Sequence, residues 1–93
     1  KLPEDKRIDF VVIVTPNHLH FSIAKLAIES GFHVLSDKPA TLTLQEALIL
    51  EQTLNQTECL YGLTHTYTGY PMIKEARHRI AQGELGNIRK VVV

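Results

Sequence analysis

The spacing of apolar residues changes several times along this chain, and the changes divide it into elements. Ile8 to Val14 is a near-continuous apolar run rich in Val and Ile. Apolar residues at successive rather than alternate positions mark a strand covered on both faces, as in a buried parallel sheet. Pro16 breaks the run, because it has no N–H to give to a ladder. From about His18 to Ser30 the spacing becomes helical. Leu19, Ile23, Leu26 and Ala27 fall on one face, with Ala24 and Ile28 beside them. Asn17 is the expected N-cap and Gly31 the left-handed stop. Phe32 to Leu35 predicts a second strand, ending at Ser36-Asp37-Lys38-Pro39. Thr43-Leu44-Gln45-Glu46 fits a capping box. The helix it opens carries Leu44, Ala47, Leu48, Leu50 and Leu54 and ends near Asn55. Leu60 to Thr66 predicts a third strand and Thr68-Gly69-Tyr70 a turn. Pro71 then takes a first helical position, where a missing N–H does no harm. Ile73, Ala76 and Ile80 give that helix an apolar stripe, and Gly83 ends it. Gly86 and Asn87 lead into a last expected strand, Ile88 to Val93.

Strands and helices thus alternate, which predicts an α/β layer structure with a parallel sheet and right-handed crossovers. The length of 93 residues suits one small domain. Lys and Arg number 10 and so do Asp and Glu, so the formal net charge is zero. That balance gives no electrostatic case for nucleic acid or a membrane surface. No apolar run approaches the roughly 18 residues that span a bilayer. The single cysteine, Cys59, cannot form an internal disulfide, which fits a reducing, cytoplasmic compartment. It has no base beside it in sequence and reads as a packed thiol. The chain opens without Met and closes on Val91-Val92-Val93, inside an apolar run. It is therefore expected to be a piece of a longer protein. The two-sided apolar strand over 8–14 would then be exposed, and the isolated chain is expected to associate.

In open α/β sheets, ligands bind beyond the carboxyl ends of the strands. Thr15-Pro16-Asn17 follows the first strand and Asp37-Lys38-Pro39 the second. If those strands are neighbours, both segments share one rim. Thr15 and Asn17 then suit a ribose or phosphate. The Lys38 cation suits a substrate hydroxyl from which hydride departs, since it stabilises the developing alkoxide. Asp37 is placed to hold the Lys38 ammonium. A solvated turn and a helix cap explain the same residues without a ligand. His18-Leu19-His20 has the spacing of a metal-binding pair, but at a helix start such residues point apart, and no metal site is expected. His78, Arg77 and Arg79 read as a solvated helix face.

Taken in order, Thr15-Pro16-Asn17-x-x-His20, a helix ending at Gly31, and His33-Val34-x-x-Asp37-Lys38-Pro39 resemble the Gfo/Idh/MocA oxidoreductase family. The resemblance continues through Thr43-Leu44-x-x-Ala47 and Gly83-x-Leu85-Gly86-x-Ile88, and covers nearly the whole chain from Ile8. It implies a Rossmann-type, doubly wound parallel sheet whose first βαβ unit, with its Gly-rich turn, lies upstream of Lys1. Residues 1–70 would be the later half of the dinucleotide-binding domain. Residues 71–93 would be a linking helix and the first strand of a second, α+β substrate domain. The implied cofactor is NAD or NADP, and the implied substrate a sugar or cyclitol whose secondary alcohol exchanges hydride. Thr15, Pro16, Asn17, His20, Asp37, Lys38 and Pro39 match cofactor-side positions, with Lys38 the catalytic lysine between nicotinamide and substrate. A structural His bonded to the rim is an equal reading of His20. Pro39 matches a proline that often follows this lysine, with a cis bond between them one option. Asp37 departs from the commoner Glu.

The family's frequent Arg before the Pro is also missing, since no Arg occurs between Arg7 and Arg77. His65 or Tyr67 would fill that space toward substrate, or simply close the sheet edge. An Asp and a His that transfer the proton would lie beyond Val93, so the chain alone is expected to be inactive. The resemblance leaves open a dinucleotide-binding regulator without catalysis. No nucleic-acid or membrane partner is implied, and the parent is expected to be a homo-oligomer.

Overall fold

The computed structural model describes residues 6–92; the first five residues of the expected N-terminal loop and Val93 lie outside them. Three strands form one sheet: β1 (Phe10–Ile13), β2 (His33–Ser36) and β3 (Tyr61–Leu63). Their order is β1-β2-β3 and both pairings are parallel. Ile13 lies opposite Ser36, and Ser36 opposite Leu63. This register brings the carboxyl ends of all three strands to one rim. The architecture is α/β and Rossmann-like, as the alternation of strand and helix predicts.

Helices α1 (His20–Glu29) and α2 (Leu44–Asn55) are the crossovers. The expected α1 stripe is rotated from the predicted one. His20, Ala24, Ala27 and Ile28 are buried, whereas Leu26 is 66% exposed. Spacing at 20, 24, 27 and 28 is itself helical, so the pattern admitted either face. Packing on β1 and β2 selects the face that carries His20. Ile13, Ala24, Ala27, Ile28, Val34 and Leu50 form the core between α1, α2 and one sheet face. The thiol of Cys59 packs against this core, 3.7 Å from the Ile28 carbonyl oxygen.

Helix ends follow local chemistry. Gly31 is left-handed, with φ 85°, and the Phe32 N–H donates back to the Ala27 carbonyl over 3.0 Å. The Thr43 hydroxyl accepts from the Glu46 N–H at 3.2 Å while the Glu46 carboxylate accepts from the Thr43 N–H at 3.1 Å. Asn17 does not cap α1. It opens a 3₁₀ turn over Asn17–Leu19, and the helix starts at His20 with no side-chain cap.

Two expectations need correction. β1 is not covered on both faces: Phe10 and Val12 are 53% and 52% exposed while Ile13 is 1% exposed. Both helices packed in the core lie on one side of the sheet, so the other side of β1 meets solvent. The expected strand over Ile88–Val93 does not form over residues 88–92. A strand needs a partner for its N–H and C=O groups, and none is presented to this segment among the described residues. Helix α3 (Pro71–Ala81) forms with Pro71 in its first turn, but no residue in it is buried. Its stripe residues Ile73 and Ile80 are 50% and 46% exposed.

Candidate functional site at the carboxyl rim of the sheet

The rim is assembled by three short segments. Thr15-Pro16-Asn17 leaves β1, Asp37-Lys38-Pro39 leaves β2, and Thr64-His65 leaves β3. The Asp37 N–H donates to the Ile13 carbonyl at 2.9 Å, and the Thr64 N–H donates to the Ser36 carbonyl at 2.9 Å. The sheet ladder thus runs one residue beyond β2 and β3 and fixes the start of the segments that leave them.

Asp37 sits at the centre. Its Oδ1 accepts from the Thr64 hydroxyl at 2.7 Å and from the Lys38 backbone N–H at 2.9 Å. The Thr64 hydroxyl foremost, then the Lys38 N–H, hold the Asp37 carboxyl below its ordinary range; partial burial opposes them, and the Lys38 and His20 charges add to the lowering. The expected hold of Asp37 on the Lys38 ammonium is not observed. Among the described residues no ion pair joins them, and the carboxylate grips the Lys38 backbone instead. The shorter Asp side chain reaches the adjacent N–H and leaves the ammonium free to extend. The Lys38–Pro39 bond is cis.

The ammonium of Lys38 lies 5.8 Å from the centre of the Tyr67 ring. That is within cation–π range. Tyr67 belongs to a 3₁₀ turn over Thr66–Gly69 and meets Tyr70 edge to face, with centroids 5.9 Å apart and planes at 80°. The third expected strand therefore stops at Leu63, because the chain coils into this turn. Lys38, Pro39, Leu63, His65, Tyr67 and Thr68 line an open cleft of about 560 Å³. Four of the residues singled out in the sequence, Lys38, Pro39, His65 and Tyr67, share this one space.

Thr15, Pro16 and Asn17 are on the same rim but do not line that cleft. The Thr15 hydroxyl is buried and has no hydrogen-bond partner among the described residues. Asn17 is exposed. His20 is 1% exposed, and its ring is sandwiched between rim carbonyls: Nδ1 is 2.6 Å from the Pro39 oxygen and Nε2 is 2.8 Å from the Thr15 oxygen. Of the two sequence readings of His20, the geometry matches the structural one, with neither nitrogen turned toward a ligand. Neither is available to a metal, and among the described residues no cluster of three His, Cys, Asp or Glu side chains could hold one.

Thr64 was not singled out in the sequence. Thr64 alternates with Thr66 and Thr68, and nothing local marks one of the three; only the β2–β3 register sets Thr64 against Asp37.

Residues 1–65 match the Gfo/Idh/MocA model, described as an oxidoreductase family with an NAD-binding Rossmann fold. The chain belongs to this family. Among curated Gfo/Idh/MocA relatives, an uncharacterised oxidoreductase of Bacillus subtilis is 36% identical over 84 residues, which cover 90% of this chain and 21% of that protein. The scyllo-inositol 2-dehydrogenase (NAD(+)) of the same species is 34% identical over 85 residues, or 89% of this chain and 24% of that protein. Among solved structures, the inositol dehydrogenase homologue of Azotobacter vinelandii complexed with NADH and myo-inositol is 41% identical, with a TM-score of 0.74, covering 90% of this chain and 23% of that one. The chain thus spans about a quarter of the length of the relatives it matches. No helix among the described residues is long and apolar enough to cross a membrane.

Proposed function

We propose that this chain supplies the nicotinamide-side rim of a dehydrogenase that exchanges hydride between NAD or NADP and a secondary alcohol of a sugar or cyclitol. The observation that carries this reading is the cleft shared by Lys38, His65 and Tyr67 at the carboxyl rim of a parallel sheet. Family membership and relatives named as inositol dehydrogenases support it. When bound, the nicotinamide ring accepts or returns the hydride.

The chain's own residues have separate tasks in this reading. Thr15, Pro16 and Asn17 border the cofactor, and the Thr15 hydroxyl, orphaned in the protein, fits a rim that gains a polar partner on binding. Asp37 fixes the backbone at Lys38. The Lys38 ammonium donates to the substrate hydroxyl oxygen and stabilises negative charge as the C–H electrons leave. The hydroxyl proton passes to a base in the substrate domain, which residues from 71 onward open. His65 and Tyr67 contact the sugar or cyclitol, in place of the Arg that this chain lacks. The full protein works as a homo-oligomer.

Calorimetric titration of the full protein with NADH and NADPH, followed by turnover on a panel of cyclitols and aldoses, tests the reading. We expect one dinucleotide to bind, N17A to weaken it, and K38M to lower kcat about 10²–10³-fold with dinucleotide binding retained. Binding of neither dinucleotide would overturn the reading. Binding without turnover of any alcohol would favour a dinucleotide-sensing regulator.

A further inference from the structure

The His20 ring joins the two halves of the rim. It comes from the first turn of α1 and lies between the Thr15 carbonyl, at the exit of β1, and the Pro39 carbonyl, just past Lys38. Both neighbours are carbonyl oxygens, which only accept hydrogen bonds. A neutral imidazole has one N–H and one bare nitrogen. In either tautomer, a bare nitrogen would face a carbonyl oxygen at 2.6 or 2.8 Å, lone pair to lone pair. A ring with both nitrogens protonated makes both contacts as hydrogen bonds, and bonds from a charged donor are the shorter and stronger kind.

We propose that His20 is a positioning residue held as an imidazolium, which clamps the Thr15–Asn17 segment to the Asp37–Pro39 segment and thereby sets the distance between the cofactor rim and Lys38. A buried cation is costly unless compensated. Here two carbonyl dipoles accept from it directly. One of them belongs to Pro39, next to Lys38, whose N–H donates to Asp37, so the ring is tied to the backbone at Lys38. The first hydrogen bonds lock the ring's orientation, and 1% exposure keeps water from replacing them.

The consequence for binding rests on the dehydrogenase reading; the protonation and the clamp do not. Two measurements on the full protein separate them. The first is ¹⁵N–¹H NMR of the histidine rings at neutral pH without cofactor, assigned with H20Q. We expect both His20 nitrogens to carry protons, and these protons to exchange slowly. A bare nitrogen on His20 overturns the proposal, whatever the protein binds. The second is dinucleotide affinity and the kcat against KM split in H20Q and H20N. Loss of one charge-assisted bond to the rim should weaken dinucleotide binding about tenfold in a variant that remains folded, with a matching rise in cofactor KM. Unchanged affinity in a folded variant overturns the positioning role. If the wild-type protein binds no dinucleotide, the dehydrogenase reading fails, and the NMR result alone decides the clamp. If neither variant folds, NMR of the wild-type ring, assigned through its through-space contacts to Thr15 and Pro39, still decides it.

Discussion

The position of Lys38 depends on what its backbone is tied to. Its amide donates to Asp37 Oδ1, and Asp37 is fixed by the Thr64 hydroxyl. The ammonium meanwhile reaches the Tyr67 ring, and among the described residues no carboxylate pairs with it. Thr64→Val keeps shape and removes the hydroxyl, so the Asp37 carboxyl should titrate closer to its ordinary value of 3.8. The sign follows from linkage. A carboxyl lowered by folding contributes stability above its ordinary value and loses it as pH falls through the lowered one. T64V should therefore raise the Asp37 titration midpoint, followed by carboxyl ¹³C NMR, and make the acid limb of the stability curve shallower. A midpoint unchanged in T64V would mean that the Lys38 N–H and the neighbouring charges hold the carboxylate without the hydroxyl.

At the scale of elements, helix ends place the rim. Gly31 turns the chain from α1 back into β2, and the capping box sets where α2 begins after the Pro39 segment. The capping Thr43 accepts an amide that has no other helical partner. Thr43→Ala should cost about 1 kcal/mol, seen as roughly fivefold faster exchange of the first α2 amides. Equal exchange in variant and parent would show that the cap is redundant with tertiary packing. The α2 capping box and the Gly31 turn were plain in the sequence because each lies within four residues, whereas Asn17, read as the cap of α1, opens a 3₁₀ turn instead. The face of α1 was not plain, since two helical stripes overlap there and the sheet chose the one with His20.

At the scale of the molecule, one side of the sheet and all of α3 remain open. Phe10, Val12, Leu35 and Ile73 are each at least 39% exposed. The radius of gyration is 18.3 Å, against about 12 Å for a compact chain of this length. The chain also spans only about a quarter of its relatives. Open apolar surface of this kind finds partners. The 93-residue chain by itself should associate at high concentration, as sedimentation would reveal. A monodisperse monomer would show that the exposed residues are tolerated in water.

The sequence alone determined the alternation of strand and helix, the parallel sheet, the capping of α2 and the family, because each rests on local spacing or on motifs a few residues long. It also named Lys38, Pro39, His65 and Tyr67. Only the tertiary structure brought those four to one cleft, set Thr64 on Asp37, turned Asp37 from the ammonium to the backbone of Lys38, and enclosed His20 between two carbonyls. The His20–Pro39 and Asp37–Thr64 contacts join residues 19 and 27 positions apart. They depend on strand register and helix rotation, which no local pattern encodes.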